Sequence, residues 1–224
     1  MSSGWEELLA QLFADAGLWD EGVEAARNAC VAGAPLAAAA ITAAAWYDNP
    51  MSGGRALAAA QARFAALPLE VGAWREALRP APHPETGDPD FVAGFGFVSD
   101  VTASALLRGA ERLRSGLPGG RLAFYLEHRT SLQRAAGAAL NAVGLCALVF
   151  ADAGVDDDQA ERRYLLLRLE PALAAAQRAR RAGLAGFPFF EEGYRYEGRW
   201  PAATDSGPCA EATLTSLKRE VGLE

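Results

Sequence analysis

The sequence predicts an all-α protein. Apolar residues recur at helical spacing in nearly every segment, glycine, proline and aspartate punctuate the segments at helix-sized intervals, and alanine, the strongest helix former, is abundant. Ser3 is placed to cap a first helix whose Trp5, Leu8, Leu9, Leu12 and Phe13 form one apolar face, with Gly17 as its stop. Asp20 opens a second helix that runs to about Ala32, and Gly33 ends it. Pro35 starts a third, PLAAAAITAAAWYD, which Asn49-Pro50 must terminate. That helix is alanine on almost every face. Alanine buries little area, so such a helix gains stability by close approach to neighbours, either at the centre of the fold or at a subunit interface.

Gly53-Gly54 leads into a fourth helix, about Arg55 to Leu67, and a fifth follows Pro68 from Glu70 to Leu78. Four prolines between Arg79 and Asp90 forbid regular structure and mark a loop or hinge. The stretch FVAGFGFVSD is too short and too rich in glycine for a helix. Asp100 is placed to cap a helix through Arg114, Leu117-Pro118-Gly119-Gly120 breaks the chain, and Arg121 to about Ala136 is helical again. An apolar helix follows and closes at Gly154. Asp156, Asp157 and Asp158 begin a last long helix, with Arg178, Arg180 and Arg181 at its negative end, and Pro171 is expected to kink or split it near Arg168. From Phe187 to Pro201 aromatic and polar residues alternate as in an extended ribbon, and residues 210–221 have a helical pattern.

The 224 residues are 51% hydrophobic and 22% charged, enough for a real core. The net charge of −7 argues against non-specific nucleic-acid or anionic-membrane binding, both of which need a basic surface. Cys30, Cys146 and Cys209 are odd in number and far apart, and only His83 and His128 could complete a metal cluster, so neither a metal site nor a disulfide framework is expected. His128 sits between charged neighbours and reads as a surface residue, and His83, in the proline-rich loop, reads as solvated. The run from Gly137 to Gly154 is apolar but short and carries Asn141 and Asp152, which suits a core helix and not a membrane span. No positively charged segment followed by an apolar run opens the chain, so the cytoplasm is the expected compartment.

Four blocks, in order, resemble the citrate synthase family, including citryl-CoA lyase-like members. Leu12 to Leu18 is similar to L-x-A-D-H-G-L, with Ala16 at the histidine position. Pro50-Met51-Ser52-Gly53-Gly54 is similar to P-L-H-G-G, Gly94-Phe95-Gly96-Phe97 to G-F-G-H, and Leu140 to Gly144 to P-N-V-D-G. Arg168-Leu169-Glu170-Pro171 resembles the stretch before the family's penultimate helix, and Phe189 to Gly198 its closing segment.

The resemblance implies a multi-helical fold, with residues 1–78 and 138–224 as part of a large domain, 79–137 as a small domain, and a cleft between them. It further implies that part of the family's N-terminal helical section is missing, because its first block comes at Leu12. Family members join an acyl-CoA to a 2-oxo acid using two histidines and an aspartate, and those positions hold Ser52, Phe97 and Val143 here. Val143 accepts no proton and Phe97 donates none, while Ser52 could donate a hydrogen bond but carries no positive charge. The resemblance thus implies that most of the acceleration, of which a general base supplies about 10²–10⁴, is removed.

No catalytic residue is therefore expected. The candidate ligand-binding positions are Ser52, Gly53, Gly54, Asp100, Asn141, Arg180 and Arg181; Asp100 and Ala103 look like a remnant of the D-P-R-A block, with Thr102 in the arginine position. The expected protein is a subunit that has lost condensation chemistry and works as a homodimer or as a heteromer with a citrate synthase-like partner, without a resident cofactor. The alternative is an enzyme that keeps a CoA-thioester cleft for other acyl-transfer or lyase chemistry.

Overall fold

Nine α-helices and one two-stranded ribbon account for the regular structure among the described residues, 4–14, 21–50, 53–87, 91–96 and 100–183, of a computed structural model. In chain order they are α1 (Gly4–Ala14), α2 (Glu21–Val31), α3 (Leu36–Tyr47), α4 (Gly54–Ala66), α5 (Val71–Ala77), β1 (Phe95–Gly96), α6 (Asp100–Leu113), α7 (Arg121–Ala136), β2 (Ala139–Leu140), α8 (Ala142–Ala153) and α9 (Asp157–Ala182). A 3₁₀ turn, Arg114–Gly116, extends α6. The chain is thus all-α, as its periodicity predicts. The positions expected to cap or end the first two helices at Ser3, Gly17 and Asp20, the aromatic ribbon after Phe187 and the tail helix lie outside the described residues.

The most apolar stretch of the sequence becomes α8, in which every residue from Val143 to Phe150 is buried. A helix that is apolar all round has no face to give to water, so neighbours must cover every side. α4, α6 and α7 pack against it. Asn141 caps its start, its Oδ1 accepting the Gly144 N–H at 3.0 Å, and Gly154 ends it in the left-handed conformation that glycine adopts without steric cost. The first part of the run, however, is not helical: Ala139 and Leu140 form β2, paired antiparallel with β1 through Phe95↔Leu140 and Gly96↔Ala139. Among the described residues no helix is long and apolar enough to cross a membrane.

The buried apolar side chains form two clusters. The larger draws on α1, α4 to α8 and the first turns of α9, and includes a row of rings: Phe64 stacks on Trp74 with centroids 5.5 Å apart, and Trp74 lies 5.2 Å from Phe124. The smaller joins α2, α3 and the second half of α9 through Ala26, Cys30, Ala39, Ala43, Tyr47, Ala172 and Ala176. Small side chains let these three helices approach closely, which is how alanine-rich helices gain contact.

α3 is not a central helix. One face is buried at Ala39, Ala43 and Tyr47, while Ile41 is 71% and Trp46 46% exposed. Nor does Pro171 split the last helix, because α9 runs through it as 26 continuous residues. Proline removes one hydrogen bond and crowds the preceding turn, at a cost of about 3 kcal/mol in a helix interior. Here Ala172 and Ala176, just beyond it, are packed against α2 and α3, and this tertiary contact favours the continuous helix.

The proline-rich loop is closed at its base by an antiparallel bridge between Ala81 and Phe91. His83, expected to be solvated, is buried inside the loop. Its Nδ1 accepts the backbone N–H groups of Glu85 at 3.1 Å and Thr86 at 3.0 Å, and its ring meets Phe91 edge-on at 4.2 Å. A loop without helix or strand must find acceptors for its N–H groups elsewhere, and the imidazole supplies one. His128 is half-buried and not a free surface residue, with its ring 4.6 Å from that of Phe124 one turn earlier on α7.

Candidate functional site

Two of the four sequence blocks meet at one place. The Gly94-Phe95-Gly96 segment carries β1 and the Leu140-Asn141 segment carries the end of β2, so pairing of the strands brings the blocks side by side. The Asn141 N–H donates to the Gly94 carbonyl at 3.1 Å, which extends the ribbon into the first turn of α8.

Glycine is required at this junction for two reasons. Gly94 has φ +87°, a conformation that side chains with a Cβ rarely adopt, and a Cβ there would stand 2.8 Å from the Gly144 Cα and 3.3 Å from the Ala60 Cβ. A Cβ on Gly144 would overlap the Gly94 carbonyl oxygen. β1, α8 and α4 therefore touch through three residues that have almost no side chain. The signal is legible as glycines at the matching motif positions, although their mutual contact is not.

Val143 is the second residue of α8, 2% exposed, and part of the larger core cluster. It offers no acceptor, and the Asn141 Oδ1 beside it is occupied by the helix cap. The Asn141 Nδ2 lies 3.5 Å from where a Cβ on Gly96 would stand, so the amide faces the end of β1. A titratable group beside this ribbon that sequence reasoning passed over is Tyr125 of α7. Its ring lies 6.2 Å from Phe95, and its hydroxyl takes a hydrogen bond from the Gln133 Nε2 at 3.1 Å. Burial pushes its pKa from the ordinary 10.0 up to about 12, with Gln133, Arg129 and the Leu140 backbone opposing, so the phenol stays protonated. Cys146, one turn beyond Val143, is likewise pushed by burial to about 12, against a smaller opposing effect of Arg168, and is unreactive as a thiolate.

The other predicted positions are spread more widely. Ser52 and Phe97 lie outside the described residues. Gly53 and Gly54 start α4, with Gly54 placed against Glu161 of α9, about 9 Å along the helix from Ala60. A Cβ on Gly53 would meet the Asn49 carbonyl oxygen at 2.5 Å, so the turn before α4 is built tightly around it. Asp100 is the first residue of α6, and Thr102, two residues on, is buried. Arg180 and Arg181 are exposed at the end of α9, whose second half belongs to the smaller cluster and not to that of Val143. Arg168 is where the two clusters touch: its guanidinium lies 5.0 to 5.5 Å from the ring centroids of Tyr47, Phe13 and Tyr164, and the Tyr47 hydroxyl donates to its carbonyl at 3.2 Å.

No family model and no curated protein matches the sequence. The structure is similar to that of citryl-CoA lyase from Hydrogenobacter thermophilus, with a TM-score of 0.54 and 19% identity over 91% of this chain and 81% of that one. At that identity the likeness is one of fold: the chain has an all-α, citrate-synthase-like architecture.

Proposed function

We propose that the chain is a citrate-synthase-like subunit without condensation activity, which acts through association with another chain. The observation that supports this most is Val143, a buried aliphatic side chain at the motif position of the family's proton-abstracting aspartate, with the neighbouring amide of Asn141 engaged in capping. Neither histidine of the chain offsets the loss. His83 is engaged by backbone N–H groups in its own loop, and His128 packs on Phe124. The bipartite division, with 79–137 as a small-domain-like part, belongs to the same proposal. The test is release of free thiol from acetyl-CoA in the presence of oxaloacetate: no turnover is expected, and turnover above the uncatalysed rate would refute it.

The associating surface on this reading includes the outer face of α3. Ile41, on the side of α3 opposite the buried row of Ala39, Ala43 and Tyr47, is large, apolar and open to water. Trp46 is partly open at the edge of that row, and exposed apolar surface gains by being covered. Light scattering after size exclusion should show a homodimer, or a complex once a citrate synthase-like partner is co-expressed. A stable monomer under both conditions would reject the subunit role.

A second reading, an enzyme that keeps a CoA-thioester cleft for other chemistry, draws support from the fold likeness to citryl-CoA lyase. It requires heat on titration with CoA or acetyl-CoA at millimolar ligand; its absence would dismiss this reading and leave the first intact.

A further inference from the structure

α1 and α6 cross with almost nothing between them at one point. A Cβ on Gly109 of α6 would stand 2.5 Å from the Leu12 Cδ2 of α1, so direct contact closes the floor at that point. Above it is a groove of about 250 Å³, floored by Leu8, Leu12 and Ala105. Arg108 and Arg112 line it from α6 and Gln11 from α1, and all three side chains are exposed.

The two arginines are one helical turn apart, and neither has a hydrogen bond or ion pair among the described residues. Of the described acids on these two helices, Glu111 lies 3.9 Å from Arg114 and Glu6 pairs with Arg163, while Glu7, one turn before Gln11, is exposed. Like charges at this spacing repel and weaken a helix slightly. In a chain of net charge −7, two guanidiniums without an ion pair among the described residues, set over apolar side chains, form a local exception that an anion would relieve.

We propose that this groove binds a small amphipathic oxyanion. The phosphate or carboxylate head bridges Arg108 and Arg112, the Gln11 amide donates a further hydrogen bond, and a short apolar body lies along Leu8, Leu12 and Ala105. The site is independent of the Val143 region, and its test does not depend on whether the chain condenses anything.

The experiment is calorimetric titration of the intact chain with butyl phosphate, butyrate and inorganic phosphate. Wild type should bind at least one of the butyl-bearing anions at millimolar concentration or below, and more tightly than inorganic phosphate; which of the two binds better identifies the head group. The double variant R108Q/R112Q should bind at least about tenfold more weakly, as expected for the loss of charge-assisted bonds. Gln11→Glu, which sets a carboxylate opposite the arginines, should weaken binding in the same way. Because the three side chains are exposed, both variants should keep the wild-type circular dichroism and melting temperature. No heat with wild type, inorganic phosphate binding as tightly as the butyl compounds, or variants that bind like wild type would each overturn the proposal.

Discussion

Asp152 accepts the backbone N–H of Arg121 at 2.9 Å and that of Leu122 at 2.8 Å, so a carboxylate from the last turn of α8 caps the start of α7. The Arg121 side chain completes the joint. Its Nε and Nη2 donate to the carbonyls of Phe64 and Ala65, both at 2.8 Å, at the end of α4, while its Nη1 lies 3.8 Å from the Asp152 Oδ1. The carboxylate thereby satisfies N–H groups at the start of α7 and the guanidinium satisfies carbonyls at the end of α4, each with the charge that the helix end it caps favours. Gly119 has no side chain because a Cβ there would overlap the carboxylate.

Asp152 should therefore be worth more than a surface pair. Its side chain is 1% exposed, and Asp152→Ala leaves two N–H groups and a partly buried guanidinium without their acceptor, so a loss of about 3–5 kcal/mol is expected. Asp152→Asn keeps one acceptor and should cost about 1–3 kcal/mol. Urea unfolding of both variants measures this, and a change in Asp152→Ala no larger than that of a surface substitution would disprove the joint.

His83→Leu keeps the packing against Phe91 but removes the acceptor for Glu85 and Thr86. The loop then loses the two hydrogen bonds that the imidazole accepts, at about 0.5–1.5 kcal/mol each. Hydrogen exchange at those two amides should accelerate in the variant; unchanged protection would mean that the imidazole does not hold the loop.

Substitution at the ribbon should be costly out of proportion to its size. Gly144→Ala forces the Gly94 carbonyl and α8 apart, and overpacking of this sort typically costs about 1–3 kcal/mol. Gly94→Ala adds backbone strain of about 1–3 kcal/mol to a similar collision. Thermal melts of the pair test this, with Gly72→Ala, whose Cβ would meet nothing within 4 Å, as the control.

Val143→Asp puts a carboxylate back at the motif position, yet it should not create activity. The site is 2% exposed and packed in the core, so burying an unpaired acid there should destabilise the chain by at least about 2 kcal/mol. Appearance of thiol-releasing activity in this variant would show that the remaining parts of an active site are in place, against the proposed function.

Alkaline pH should unfold the chain through groups whose protonated form the fold favours. Tyr125 has its pKa raised by burial from 10.0 to about 12, and Cys146 from 9.0 to about 12. A raised folded-state pKa means that the native state holds more protons, so stability is complete below the unfolded-state values and falls as pH rises from about 9 to about 12. Stability measured by urea titration should decline across that window, and the decline should shrink in Cys146→Ala compared at matched stability. A flat profile to pH 12 would contradict it.

Much of the fold was legible in residue order. Breaks at Asn49-Pro50, Pro68 and Leu117 to Gly120 fall between helices, as expected, because glycine and proline act on the backbone within a few residues. The enclosure of α8 was legible for a similar reason, since a helix with no polar face must be buried. The misreadings share a different cause. His83 is polar and sits among prolines, and only the closure of the loop by Ala81 and Phe91 supplies the N–H groups that draw it inward. Pro171 carries a local penalty that packing by α2 and α3 outweighs, and that packing comes from residues more than 120 positions earlier in the chain.

The sequence by itself determined that the chain is all-α, because helix periodicity and helix breaks follow from residue type and spacing alone. Only the tertiary structure decided that Gly94 and Gly144 touch, that Asp152 and Arg121 join the ends of α8, α7 and α4, and that Arg108 and Arg112 line one groove with Leu8 and Leu12. Those relationships arise between helices, where close approach and the satisfaction of buried polar groups depend on partners that no local pattern names.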